Sequence, residues 1–504
     1  MDPDEPPAYL YHHSSSAFGE GRWRSLACSL LKVWRSTRRW RRQVTILEDK
    51  RALSTSAHSL PYELSLRENF SWTFVGNVVY AGCQWGMLVI LGKLGSPEMV
   101  GKFALGLTVT APVIMFTRLQ LTDVQATDAR HEYLFGDYLG LGLITMALSL
   151  LVIAGIALVS GYRWETTLVI LTIGIARAFE SISEIFYGLL QQRERMDRIA
   201  KSMMGRGLLS LVALGVGVCL TGSVFWGGVG MAITWALMLV AYDIPSGVLM
   251  LNLLPQPGGA GPDKGKQEAR LRPRWELRTL AMLAWLALPL GFVMMLESLN
   301  YNVPSYFVER YLGEGALGIY AAIAYLQRAG TTVVFALGRS GSPRLAKYYA
   351  AGNSRAFLTL LLRLVGIGAL LGSVGVLVAF VAGREVLTLL YRPEYARQDL
   401  FVLLMVAAGI SYLASFLRYG MLAARRFRAQ VPLFAFVVGT AVLACFWLIP
   451  SGGLRGAAIA FTITMVVQAG GSLIIVVRAL HALSRRQESG WVPSAGEGIG
   501  ALRN

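Results

Sequence analysis

Apolar residues along this chain fall into blocks of about twenty, divided by short runs rich in Arg, Lys, Gly and Pro. An α-helix of about twenty residues rises about 30 Å, the thickness of a bilayer's hydrocarbon core. The pattern predicts spanning helices at 70–92, 99–119, 136–159, 166–189, 206–222, 226–250, 279–303, 314–337, 358–381, 400–422, 432–450 and 455–478. The block at 206–222 is the shortest and is rich in glycine. Composition agrees: 54% of the residues are hydrophobic and 15% charged, whereas a soluble domain is about a quarter charged. Many of the 54 glycines lie inside the blocks, where small residues let helix backbones approach closely. The fold class is an all-α polytopic membrane protein with about twelve transmembrane helices.

The net charge of +17 would suggest nucleic acid in a soluble protein. Here the bases cluster between the apolar blocks, which points to anionic membrane lipids as partners and to no nucleic acid. With the N-terminus inside, the inner loops hold about twenty Lys and Arg against about seven in the outer loops. Excess positive charge marks the cytoplasmic side, so both termini are expected in the cytoplasm. Cys28, Cys83, Cys219 and Cys445 show no metal-ligand spacing. Three of them lie in apolar blocks and read as packing residues. The stretch Ala27 to Leu31 is too short for a signal-peptide core, so the first spanning helix is expected to direct insertion.

Residues 1–66 precede the first block. Trp23, Leu26, Ala27, Leu30 and Trp34 recur at helical spacing, with Arg24, Lys32, Arg35 and Arg39 elsewhere on the wheel. A basic amphipathic helix on the inner membrane surface and a disordered basic tail both fit. The Pro- and Gly-rich run from Leu254 to Lys266 divides the chain into halves of six helices. The expected domains are 67–253 and 278–480, joined by a linker at 254–277 and followed by a cytoplasmic tail at 481–504. The halves share three ordered matches. Leu94-Gly through Gly101 to Ala104 matches Leu312-Gly through Gly318 to Ala321. Tyr187-Gly-Leu-Leu190 matches Tyr419-Gly-Met-Leu422. Gly227 to Ile233 matches Gly453 to Ile459. Repeats of six helices would be two parallel bundles around a central cavity, with substrate at their interface near the midplane.

Arg177, Glu180 and Glu184 lie in the fourth block, within roughly 60° of one another on a helical wheel. Each charge costs roughly 2.5–3.5 kcal/mol near the bilayer centre, against roughly −0.5 for a Leu or Ile. The stripe must therefore face protein or water. It reads either as a structural pair, Arg177 with Glu180, or as a cavity wall that binds a charged substrate or carries coupling ions. Arg328, deep in the eighth block, offers a permanent planar cation suited to phosphate. Glu297 and Asn300 lie one turn apart on the seventh block, after Pro289 and Gly291, which should bend or break that helix. They read as an ion-coupling site beside a discontinuous helix or as a polar cap at its outer end. Asn77 and Gln84 on the first block are amides that join helices or line the cavity. Asp243, Arg363 and Arg418 are expected near cytoplasmic ends. Arg118 lies at a similar depth, before the polar run from Thr122 to Arg130.

There is no glycine-rich phosphate loop followed by Lys-Ser or Lys-Thr, and the five histidines show no metal spacing. The expectation is a transporter rather than an enzyme, with no cofactor, no resident metal and no catalytic residue.

Five segments carry a family resemblance: Arg67 to Asn77; Gln84-Trp85; Leu94-Gly95 to Gly106; Val124 to Arg130; and Phe186 to Asp197. From about residue 66 to 480 the chain resembles the Wzx-type O-antigen and exopolysaccharide flippases, polysaccharide biosynthesis proteins of the multidrug/oligosaccharidyl-lipid/polysaccharide (MOP) exporter superfamily. That resemblance implies two six-helix bundles around a partly cationic cavity in a bacterial inner membrane. It implies a substrate of glycan on undecaprenyl pyrophosphate, and polysaccharide-assembly partners. Arg177 and Arg328 would then bind the pyrophosphate beside Gln84 and Asn77. Glu180, Glu184, Glu297 and Asn300 are the candidates for coupling to a proton or sodium ion. The alternatives are a multidrug antiporter of the same superfamily, which buried arginines disfavour, and an integral-membrane polysaccharide polymerase, which usually needs a longer outer loop.

Overall fold

The computed structural model describes residues 64–128, 132–252, 272–424 and 429–488. The proposed surface helix within 1–66, most of the 254–277 linker and the distal tail lie outside these residues, as does the side chain of Arg328.

Helices joined by short turns make up the described part: α1 Leu66–Leu94, α2 Pro97–Thr117, α3 Leu121–Thr127, α4 Phe135–Val159, α5 Trp164–Gln192 and α6 Met196–Thr221 form the first group. They are followed by α7 Val224–Met238, a π-helical turn Leu239–Asp243 and α8 Ile244–Asn252. The second half holds α9 Leu277–Ala350, α10 Ser354–Leu390, α11 Gln398–Ala423 and α12 Gln430–Glu488. Two of these are double spans. The chain reverses at Gly313 (φ 83°) inside α9 and at Gly453 (φ 58°) inside α12. Both glycines have positive φ, which side chains with a Cβ seldom adopt. Splitting at these glycines, and taking α7 with α8 as one, the described residues contain twelve long helices.

Local signals set several starts. Ser65 and Glu68 form a reciprocal capping box at α1, with the Glu68 amide donating to Ser65 Oγ at 3.3 Å and the Ser65 amide to Glu68 Oε2 at 2.9 Å. Ser96 caps α2 ahead of Pro97 at its first position. One start differs from expectation by ten residues: α6 begins at Met196, not 206. Its first turns carry Asp197, Arg198 and Lys201, so hydropathy alone missed them. Pro289 and Gly291 do not break α9, whose only non-helical residue is Gly313. Gly291 instead permits a close approach, because a Cβ there would lie 2.7 Å from the Phe116 carbonyl at the end of α2.

In the first half α1 packs on α6, α6 on α7, and α5 on α2, α4 and α7; in the second, α10 and α12 pack on α11, and α9 on α12. The most extensive contact across the halves is α2 with α9. It includes the first repeat match: Gly101 and Gly318 face each other's helices, and a Cβ on either would collide with the carbonyl of Glu314 or Pro97. Further bonds cross at this short-turn end. Thr166 donates to Glu314, Lys93 donates to the Thr388 carbonyl at 3.3 Å, and Arg392 donates to the Lys93 carbonyl at 3.1 Å. Large apolar side chains such as Val159, Leu220, Trp285 and Trp447 are more than two-thirds exposed, as expected where helices face lipid.

Candidate functional site

The polar centre of the first half is built on α5. Its apolar face, with Val169, Ile170, Ile173 and Ala176, is buried in the core, so the charged stripe at Arg177, Glu180 and Glu184 is turned toward α1, α2 and α6. Arg118, immediately after α2, divides its guanidinium between the two acids. Nη2 donates to Glu180 Oε2 at 2.8 Å, Nη1 to Glu184 Oε1 at 2.7 Å and Nε to Ser181 Oγ at 3.0 Å. The turn that places it is unusual: Leu119 and Gln120 both have positive φ, 51° and 52°. These residues reverse the chain into α3, which lies on the basic end of α5. Thr122 donates to the Glu184 carbonyl at 3.0 Å, and a Cβ on Gly188 would run into Gln125.

Glu180 is the hub. Tyr80 of α1 donates to its Oε1 at 2.8 Å, and Gln84 donates to the Tyr80 hydroxyl at 2.8 Å. Arg177 lies 3.6 Å and Arg206 of α6 lies 3.7 Å from its carboxylate oxygens. The Arg177–Glu180 pair expected one helical turn apart is therefore present, but Arg118 is the close partner. Arg206 is 2% exposed. Its guanidinium carbon lies 5.3 Å from the ring centres of Tyr80 and Trp235 and 5.6 Å from that of Tyr187. An aromatic cage of this kind stabilises a desolvated cation through the ring quadrupoles. Beyond it, Tyr187 and Ser202 hydroxyls are 2.7 Å apart and Ser202 donates to Asp243 at 2.5 Å. Asp243 is fully buried against protein on the π-helical turn. Three guanidiniums and two carboxylates thus share one core, and Glu184 lines a cleft with Arg118, Ser181, Thr117, Thr122 and Thr145.

The second half differs. Glu297 and Arg418 form an ion pair at 2.6 Å, with side chains 17% and 18% exposed. Arg418 lies near the C-terminal end of α11, which brings it against Glu297 on the first arm of α9. Asn300 donates to Gln468 at 2.7 Å and ties α9 to α12. Asn77 is exposed and donates to the Thr73 carbonyl of its own helix. Of the expected site residues, the structure therefore joins Gln84, Arg177, Glu180 and Glu184, places Glu297 and Asn300 in the other half, and leaves Asn77 outside the cluster.

Arg118, Arg206 and Tyr80 were not singled out as binding residues. The signal for Arg206 was present: Arg206-Gly-Leu-Leu continues an apolar block, and extending the helix backward would have put this base inside it. Tyr80 had no separable signal, since a tyrosine in an apolar helix reads as packing.

The described residues form a multi-pass helical bundle with a charged core. The fold resembles the inward-closed lipid II flippase MurJ (TM-score 0.61, 11% identity, covering 86% of this chain and 95% of that one). It also resembles an inward-facing multidrug resistance MATE family transporter of the MOP superfamily (TM-score 0.56, 14% identity, 85% and 97%). Residues 66–349 match the polysaccharide biosynthesis protein family, to which the chain belongs. The capsular polysaccharide biosynthesis protein CapF of Staphylococcus aureus is 26% identical over 402 residues, 79% of this chain and 96% of that protein.

Proposed function

We propose that the protein is a flippase that turns a lipid-linked oligosaccharide, a glycan on undecaprenyl pyrophosphate, from the inner to the outer leaflet of a bacterial inner membrane. The product would feed capsule, O-antigen or exopolysaccharide assembly. The observation that carries this reading is the gathering of three guanidiniums, Arg118, Arg177 and Arg206, at the α5 core of a polysaccharide biosynthesis family member. A pyrophosphate needs several cationic donors, and planar guanidinium suits it. Arg177, with a side chain 19% exposed and an unpartnered Nε, is the donor from the first half. Arg328 is its counterpart from the second. Gln84 supports the cluster through Tyr80, and Asn77 lies on the same helix. Glu180, Glu184 and Glu297, with Asn300, couple movement to a proton or sodium gradient. The basic end and both termini face the cytoplasm.

The test is reconstitution of the purified full chain in vesicles that carry a labelled undecaprenyl-pyrophosphate sugar. Movement between leaflets is expected, and Arg177→Ala should slow it about tenfold, the equivalent of one charge-assisted bond. Vesicles that move no lipid-linked sugar but extrude a cationic dye on an ion gradient would replace this reading by the multidrug antiporter.

A further inference from the structure

At the short-turn end the two halves touch backbone to backbone, and the contact is made twice. A Cβ on Gly101 of α2 would collide with the Glu314 carbonyl, and a Cβ on Gly318 of α9 with the Pro97 carbonyl. The two glycines align in the similar segments Leu94 to Ala104 and Leu312 to Ala321, and Pro97 and Glu314 lie one helical turn before them. Each glycine therefore rests on the carbonyl that corresponds, in the other half, to the one a turn before itself. Two like surfaces make such a reciprocal contact when one is turned onto the other. A methyl group added at either position would meet main chain, which cannot rotate aside as a side chain can. A Cβ on Gly318 would also lie 2.9 Å from the Gly101 amide nitrogen.

A second seam at this end is made by α1. Gly92 takes the ring of Tyr391, whose Cδ1 would lie 2.6 Å from a Cβ there. Lys93 donates to the Thr388 carbonyl at 3.3 Å and Arg392 to the Lys93 carbonyl at 3.1 Å, both in exposed positions. Thr166 of α5 adds a bond to Glu314. Exposed polar bonds of this kind exchange for water at little cost.

We propose that Gly101 and Gly318 form a two-sided latch. The absence of a side chain at both positions lets the halves shut at the short-turn end, and the same contact parts when this end opens. The combination points to movement rather than permanent fastening. The glycines give a tight fit that depends on shape alone, while the bonds around it are singly weak enough to break. A permanent joint would gain more from interlocked apolar side chains, such as Val169, Ile170 and Ile173 in the core of the first half. The latch goes beyond the flippase reading and does not rest on it, because any carrier whose cargo binds between the halves needs an end that can shut.

The experiment measures the separation of the halves in the full chain in lipid nanodiscs. After the four native cysteines are replaced, spin labels go on Val159→Cys and Leu389→Cys. These positions are 87% and 78% exposed and lie at the short-turn ends of α4 and α10. Double electron–electron resonance should give one dominant short distance in the parent. Gly101→Ala and Gly318→Ala should each raise the ratio of long to short distances by about tenfold. The control is Gly372→Ala. Its Cβ would lie 2.6 Å from the Gly409 Cα, but α10 and α11 both belong to the second half, so the distances should not change. Well-folded glycine variants with the parent's distances overturn the latch. So does a long distance that already dominates in the parent, or an equal shift in Gly372→Ala. Where both glycine variants fail to fold, Thr166→Val combined with Lys93→Ala removes two bonds across the seam without adding volume. That pair should raise the ratio about threefold, and an unchanged distribution then overturns the proposal. The readout needs no substrate, so the latch and the flippase reading can each fail while the other stands.

Discussion

The two halves carry their buried charge in different ways. The first gathers Arg118, Arg177 and Arg206 around Glu180 and Glu184. Among the described side chains, the second places Glu297 against Arg418 as a neutral pair. Each pair of helices involved is similar: α5 meets α1 through Glu180 and Tyr80, and α11 meets the first arm of α9 through Arg418 and Glu297. An arginine even lies over the repeat tyrosine in both, Arg206 5.6 Å from the Tyr187 ring and Arg418 5.7 Å from that of Tyr419. The first half therefore carries a densely bonded network of three guanidiniums, and the second, among the described side chains, a single part-buried pair. Buried ionic groups are costly and contribute little net stability when fully paired. Three guanidiniums buried in one network are therefore not explained by folding stability alone.

Substitutions can break that comparison. The largest effect is expected at the hub. Glu180→Ala leaves three guanidiniums without their shared carboxylate and should cost about 3–5 kcal/mol, seen as a sharp fall in detergent-solubilised melting temperature and in yield. Glu297→Ala leaves one partly exposed arginine and should cost about 1–3 kcal/mol. Equal losses would show that the two halves bear equal electrostatic load. Next come the repeat glycines. Gly188→Ala drives a Cβ into Gln125 and to 3.2 Å from the Thr122 backbone, so about 1–3 kcal/mol should be lost. Gly420→Ala meets only the methyl ends of Leu361, at 3.2 Å and 3.3 Å, and of Val476 at 3.5 Å, and should cost less than about 1 kcal/mol. The reverse order by thermal denaturation would mean that α3 does not press on α5 as described. The smallest effect is expected for Asn77→Ala. Its amide bonds only its own helix, so stability should change by no more than about 0.5 kcal/mol. A tenfold loss of transport from this change would return Asn77 to the substrate path.

The membrane class, the number of long helices and the charged stripe on α5 were legible because each is a local property. Hydropathy over twenty residues measures the cost of entering lipid, and wheel spacing follows from the helix itself. Helix ends were less legible where bases intrude, as at Met196 to Arg206, because a charged turn buried against protein reads like a loop. The partners of Asp243 and Arg418 were not legible for the same reason, because they lie on other helices.

The sequence by itself determined that Arg177, Glu180 and Glu184 could not face lipid, since no arrangement of the chain changes the cost of three charges in hydrocarbon. It also showed Gly101 and Gly318 inside similar short segments, Leu94 to Ala104 and Leu312 to Ala321. Only the tertiary structure decided that those glycines meet each other's helices, and that Glu180 is held most closely by Arg118 and Tyr80, with Arg177 and Arg206 further off. The reason is physical: helical spacing specifies which residues share a face, but a salt bridge is specified by which faces meet. Those contacts join residues as much as 100 positions apart, through the positive-φ turn at Leu119 and Gln120 and the packing of α1, α2 and α6 around α5.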